Sequence, residues 1–368
     1  MLHRPGIVYT TAPEGLELPV IDLTHPAFAI ADDSASRAAL TEQYKLTEEK
    51  NAKGPIFLRR IFVKLGARQS QLLRALSQPT GSFLGGLTTY IMKLGPDNLP
   101  DGFTSSLDQR VAGSPHARFV RLRLQHCATM LAEGLEPLLA ASPNAPLHFI
   151  NIGGGPAMDS LNALLFLSRR NATLLNRSIA IHVCDLDTNG PSFGASAVGA
   201  LQAPGAPLEK LGITFDRRAY DWNNVSVLED LLASIESNAI VGASSEGALF
   251  EYGSDEAIVA NLRALRCGVK LVVGSVTSNL PIRREQIKTM RFALHPRGVE
   301  GFRPLTQQAG YTIESVEITP LSDHLLLRPN SAAQPETSAA YSGFGDELPR
   351  LPNRISLISK NKIPVLLR

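Results

Sequence analysis

The chain has 368 residues, 44% of them hydrophobic, enough apolar material for one large domain or two smaller ones. A formal net charge of +2 argues against a general polyanion-binding surface, and so against nucleic acid as the partner. Three widely spaced cysteines, Cys127, Cys184 and Cys267, form no C-x-x-C pair, which speaks against a disulfide framework or zinc site and for a reducing compartment. No stretch approaches the roughly 18 apolar residues of a membrane span, and the first residues hold no signal-peptide core, so a soluble cytoplasmic protein is expected.

Residues 1–30 are rich in Pro, Thr and Gly and read as irregular, with one short strand near Leu18-Pro19-Val20-Ile21. From Ser34 to about Leu76 the pattern is helical: Ile56, Phe57, Ile61, Phe62 and Leu65 recur near helical spacing, with Arg59, Arg60 and Lys64 between them. The stretch from Gln78 to Leu84, with Pro79 and Gly81, breaks the pattern, and a further helix runs through Leu87, Tyr90, Ile91 and Met92. A long helix is predicted from Pro115, because Val120, Leu124, Cys127, Leu131, Leu135 and Leu138 fall on one apolar stripe. Arg118, Arg121 and Arg123 lie off that stripe and are expected in solvent, with one of them in reach of a ligand carboxylate.

The segment Leu147-His148-Phe149-Ile150-Asn151-Ile152-Gly153-Gly154-Gly155-Pro156-Ala157-Met158-Asp159 is a buried strand running into three glycines and a helix. Glycines there let the backbone turn tightly and let a ligand approach. Gly153 and Gly155 fit the start of the dinucleotide fingerprint G-x-G-x-x-G/A, but Met158 stands where a small residue belongs. Asp159 in the first helical turn would repel a pyrophosphate, so a ligand without phosphates suits the loop. Ile179–Cys184 is a second buried strand ending in Asp185-Leu186-Asp187, and a carboxylate at such a tip can take two ribose hydroxyls. Gly212–Phe215 reads as a third strand, followed by Asp221 and Trp222, the only tryptophan. The alternation continues with a helix over 227–237, a strand over 238–243, a helix from Ser254 to Arg266 and a strand over 269–275. Tyr311–Ile318 and His324–Leu327 then read as an antiparallel pair that closes the sheet. Residues 331–345 are rich in Ser, Ala, Pro and Gly, and 355–368 mix apolar and basic residues, leaving an extra strand, a lid or a homodimer arm open.

The segment Phe149–Ser160 resembles the first motif of the class I S-adenosylmethionine-dependent methyltransferases, and the resemblance covers residues 115–330. It implies a Rossmann-like methyltransferase fold: a mostly parallel seven-stranded sheet with an antiparallel terminal hairpin. Residues 1–114 would add a mainly helical N-terminal cap and 331–368 a C-terminal tail. It implies S-adenosylmethionine as cofactor, with Gly153, Gly154 and Gly155 beneath it, Asp185 on the ribose and Asp187 as the neighbouring candidate. By the same resemblance Asp221 would bind the adenine amino group and Trp222 cover the ring. The chain departs from the pattern in two ways. The step from Gly153 to Asp185 is longer than the usual offset of about 20 residues. The loop Ser244–Gly253 lacks the N/D-P-P-Y/F motif of methyltransferases acting on exocyclic adenine, cytosine or glutamine nitrogens.

Substrate-facing groups should come from the loops after strands four and five and from the cap. Glu246, Tyr252 and His295 are the catalytic candidates, with Glu251, His116 and Tyr90 beside them, and no metal is required. A cap suits a mostly apolar small-molecule acceptor, with oxygen or nitrogen ahead of carbon as the methylated atom. Two other readings stay open: a nicotinamide-dependent oxidoreductase, and a non-catalytic protein that keeps the fold for binding or regulation.

Overall fold

The computed structural model describes residues 3–77 and 86–330. The expected break after residue 77 and the tail from Ser331, with its strand, lid and dimer-arm alternatives, lie outside the described residues. The main sheet is built from β1 (Leu147–Ile152), β2 (Ile179–Cys184), β3 (Ile213–Arg218), β4 (Ile240–Ser245), β5 (Leu271–Thr277), β6 (Tyr311–Ile318) and β7 (Ser322–Pro329). Its order is β3-β2-β1-β4-β5-β7-β6. The first five strands are parallel, and β7 runs antiparallel to both β5 and β6. Every residue of β1, β2, β4 and β5 is buried, as expected for parallel strands covered on both faces. Chain order reverses at β1, so a crevice opens beyond the carboxyl ends of β1 and β4, where open α/β sheets bind ligands.

Several boundaries differ from the sequence expectation for identifiable reasons. β4 runs on through Ser244 and Ser245, because Ser244 Oγ accepts a hydrogen bond from Asn151 Nδ2 (2.7 Å) and so tolerates burial. β3 extends to Arg218 although Asp216, Arg217 and Arg218 interrupt its apolar pattern. It is an edge strand, where charges are tolerated and discourage further pairing. The helices Pro281–Met290 and Gly298–Gln308, absent from the sequence reading, fill the connection from β5 to β6.

The helix Pro115–Ala141 is capped by Ser114, with proline at its first position. At Gly134 a methyl group would stand 2.8 Å from Leu271 Cδ2 and 2.9 Å from Leu326 Cδ1, so this glycine lets the helix press onto the sheet. The N-terminal segment and its helices cover the opposite side. The helix is therefore buried nearly all round, and the expectation that its arginines are solvated fails for Arg121 and Arg123, while Arg118 bonds to Gln43 at the surface. Arg121 Nη2 donates to the Phe28 carbonyl (3.0 Å), and Arg123 is buried.

Cap helices Ser34–Asn51, Ile56–Gly66, Gln71–Ser77, Gly86–Lys93 and Ser106–Ala112 precede the sheet. Apolar residues of all of these but Ile56–Gly66, whose Phe57, Leu58, Ile61 and Leu65 are exposed, join the same core as β1 and the helix after it, and residues through Asn330 make one compact unit. Packing therefore marks no division at residue 114. The Asn162 side chain accepts from Leu23 N–H (2.7 Å) and donates to the Ile21 carbonyl (3.0 Å). Tyr90, a pocket candidate by sequence, is a buried tie: its hydroxyl donates to the Pro19 carbonyl and accepts from Ile21 N–H. Among the described residues no helix is long and apolar enough to cross a membrane.

Candidate active site

The turn after β1 requires its glycines. Gly153 (φ 65°) and Gly155 (φ 51°) lie in the left-handed region. A methyl group on Gly153 would stand 2.5 Å from Ala248 Cβ and 3.2 Å from Trp222 Cζ3. Asp159, expected as a charge at the helix end, is instead buried and accepts from Asn151 Nδ2 (2.7 Å) and Ser160 N–H (2.9 Å).

Asp185 sits at the tip of β2 against this turn. Its Oδ2 accepts from Gly155 N–H and its Oδ1 from Asp187 N–H, both at 2.9 Å. Burial pushes its carboxyl above the usual range, against the pull of those amides. Each oxygen keeps a further lone pair for a ligand hydroxyl. Asp187 is placed differently: its carboxylate accepts from Asn189 N–H (3.2 Å) and Gly190 N–H (3.1 Å) at the start of the helix Asn189–Leu201. Asp221 is exposed at the rim, where its Oδ1 accepts from Asn223 N–H (3.0 Å) and Nδ2 (2.8 Å). Trp222 is half-buried beside Gly153.

A cavity of about 1810 Å³ begins at Gly153, Asp185 and Trp222 and extends under the cap. Two of the residues named as catalytic from sequence stand outside it. The Glu246 side chain is bound by the Lys93 ammonium and by Arg123 Nε (2.5 Å). Burial pushes its carboxyl up, but these two cations outweigh that and hold it below the usual range, so it is a poor proton acceptor. His295 is exposed, and its backbone N–H ties to the Glu251 carbonyl (2.8 Å). Tyr252 does line the cavity; burial and the neighbouring Glu251 push its hydroxyl up to about 12, so it stays a donor. Glu251 is buried on the same wall, where Arg123 Nη1 (3.2 Å) and Ser275 Oγ (2.7 Å) donate to it.

The cap side of the cavity brings together residues that the sequence reading did not combine. Gln286 Oε1 accepts from the Arg283 guanidinium and the Tyr44 hydroxyl. Its amide nitrogen must then be the group facing His116 Nδ1, at 2.9 Å. His116 therefore carries its proton on Nε2 and is a donor, not the base its residue type suggested. Burial, with the fields of Arg283 and Arg123, pushes His116 down to about 3. Glu48, on the same wall, is held above the usual carboxylate range by burial.

The state of His116 has a measurable consequence. The unfolded chain takes up a proton at this residue below its ordinary value of 6.5, whereas the folded protein refuses it until about 3. Its contribution to stability is therefore complete above that ordinary value and is lost as the pH falls through this window. Urea unfolding between those limits should show His116→Gln losing stability less steeply than the parent, by up to ~1.4 kcal/mol per pH unit. Parallel curves would place the proton elsewhere.

No family model and no curated protein sequence matches the chain. Solved structures similar to parts of it include magnesium protoporphyrin IX methyltransferase from Synechocystis PCC 6803 with bound SAH. That likeness has 13% identity and a TM-score of 0.38, over 58% of this chain and 87% of the other. The pyocyanin biosynthetic protein PhzM gives 13% identity and a TM-score of 0.36, over 64% and 60%. An S-adenosylmethionine-dependent methyltransferase from Clostridium acetobutylicum gives 8% identity and a TM-score of 0.34, over 55% and 92%. The fold assignment rests on the sheet itself. Five parallel strands with the reversal at β1, and an inserted antiparallel β7, give this chain the Rossmann-like fold of the class I methyltransferases.

Proposed function

We propose that this chain is an S-adenosylmethionine-dependent methyltransferase acting on a small organic acceptor. The observation that carries the reading is the continuity of one cavity, from the glycine turn and Asp185 to the cap residues Glu48 and His116. Cofactor and acceptor would meet in it away from bulk water. S-adenosylmethionine, when bound, supplies a methyl group on positively charged sulfur. Gly153 and Gly155 leave room for it where side chains would collide, Asp185 holds the ribose hydroxyls, Trp222 flanks the ring and Asp221 reaches its amino edge.

On the acceptor side, Glu48 takes the proton that the nucleophile sheds. Burial holds its carboxyl above the usual carboxylate range, which makes it the stronger proton acceptor. Tyr252 and the Nε2–H of His116 donate hydrogen bonds that orient the acceptor, and alignment itself supplies several kcal/mol of the barrier reduction. A carboxylate base favours oxygen and nitrogen acceptors over carbon, whose protons it removes poorly.

Titration calorimetry with S-adenosylhomocysteine tests the cofactor assignment. Asp185→Ala should bind more weakly by about 1–3 kcal/mol, because the ribose hydroxyls lose a charged acceptor. Unchanged affinity would remove Asp185 from the site. Transfer of a labelled methyl group across a panel of small phenols, amines and acids would then report the acceptor atom.

A further inference from the structure

The acceptor wall carries a buried cation that has no direct ionic partner among the described residues. Arg283 is 4% exposed and lines the cavity. Its hydrogen-bonding partners are neutral, the Gln286 amide and the Tyr44 hydroxyl, and its Nε has no partner. Among the described residues no carboxylate comes within ion-pairing distance of it. Glu251 is engaged by Arg123, and Glu48 bonds to Asn51 and Gln286. Glu48 and Glu251 act on Arg283 through their fields, Glu48 being bonded to the shared Gln286 and Glu251 paired with Arg123, so neither pairs with it directly.

The local sequence adds to this charge. Pro281 starts the helix Pro281–Met290, whose first turn contains Arg283 and Arg284 and no acidic residue. Cations at the positive end of a helix are disfavoured, and that end attracts anions. A buried guanidinium with neutral partners costs several kcal/mol unless a counter-charge arrives. Around it the cavity is apolar, with Val63, Met92, Ile282, Met290 and Phe292 on its walls.

We infer that the acceptor is an apolar acid, a compound with a hydrocarbon or aromatic body and a carboxylate seated against Arg283. The inference rests on the methyltransferase reading for the word acceptor, but the anion subsite stands or falls by itself. A planar guanidinium matches a carboxylate, and the Nε2–H of His116 adds a neutral donor that places no second charge beside it. The carboxylate serves here as a handle, leaving another atom of the compound to meet the methyl group.

The test compares 1-naphthoate with 1-naphthamide, which share a ring system and differ in charge, by calorimetry on the full chain with and without saturating S-adenosylhomocysteine. The acid should bind at least about tenfold more tightly than the amide, as expected for a charge-assisted pair in a poorly solvated site. Arg283→Gln should erase the difference and Arg283→Lys retain part of it. Arg284→Gln, an exposed neighbour that bonds to Asn279, should leave it intact. S-adenosylhomocysteine affinity should stay within about twofold in all three variants, because Arg283 lies on the acceptor side. Equal affinities for acid and amide, no binding of the acid, or a preference that survives Arg283→Gln each overturn the proposal. If Arg283→Gln does not fold, the parent and Arg283→Lys titrations still decide. If S-adenosylhomocysteine fails to bind while naphthoate binds selectively, the cofactor reading falls and the anion subsite remains.

Discussion

Replacing Arg123 by alanine should cost about 3–5 kcal/mol of stability, a large share of the whole for a domain of this kind. The guanidinium is buried between Glu246, at 2.5 Å from Nε, and Glu251, at 3.2 Å from Nη1. Without it, two carboxylates face each other with Lys93 as the remaining cation of the cluster. The penalty comes from stranding those charges more than from losing attraction, so its origin can be separated. Adding Glu251→Gln to Arg123→Met should recover much of the loss, because Glu246 then stays paired with Lys93 and no carboxylate is left without a cation. Urea unfolding of the single and double variants measures both effects. A loss under about 1 kcal/mol in Arg123→Ala would mean that the cluster behaves as a solvated surface pair.

Gly153→Val should abolish S-adenosylhomocysteine binding while the protein stays folded. The residue has φ 65°, and its first side-chain carbon would stand 2.5 Å from Ala248 Cβ. Ala248 belongs to the loop after β4, so relieving the clash moves two walls of the cofactor crevice apart. A displacement near 1 Å at such a site costs on the order of a hundredfold, and the strained backbone costs about 1–3 kcal/mol of stability. Gly199 is the matched control: it lies in a helix with nothing within 4 Å of a would-be side chain. Gly199→Ala should be neutral or stabilising by up to about 1 kcal/mol, with binding unchanged. Parent-like affinity in Gly153→Val would detach the glycine turn from the cofactor.

The part of the cavity proposed for the cofactor was legible in the sequence because it is local. A buried strand, three glycines and a carboxylate at the next strand tip are adjacent in the chain, and the sheet keeps them adjacent in space. Asp185 and Asp187 both line the cavity, and only contacts distinguish them: Asp185 holds the amide of Gly155 in the glycine turn, whereas Asp187 holds those of Asn189 and Gly190. The acceptor half was not legible, because its parts come from three distant segments. Glu48 and Tyr44 belong to the first cap helix, His116 to the start of the long helix, and Arg283 and Gln286 to a helix that the apolar pattern does not announce. One signal was present: Pro281 followed by two arginines places basic residues in a first turn where acidic ones belong. Glu246 misled for the opposite reason. Its position in the loop after β4 suggested chemistry, whereas its two cationic partners, Lys93 and Arg123, come from elsewhere in the chain.

The threading of the N-terminal segment into the shared core has an evolutionary consequence. Asn162 holds the backbone at Ile21 and Leu23, and Tyr90 holds it at Pro19 and Ile21, so the covering segment is stitched to the very helix that follows the glycine turn. A chimera spliced at residue 114 would strand the Asn162 amide and the backbone groups of Ile21 and Leu23, and would mismatch the apolar faces. A new covering segment would therefore be accommodated only with matching changes in the helix beneath it.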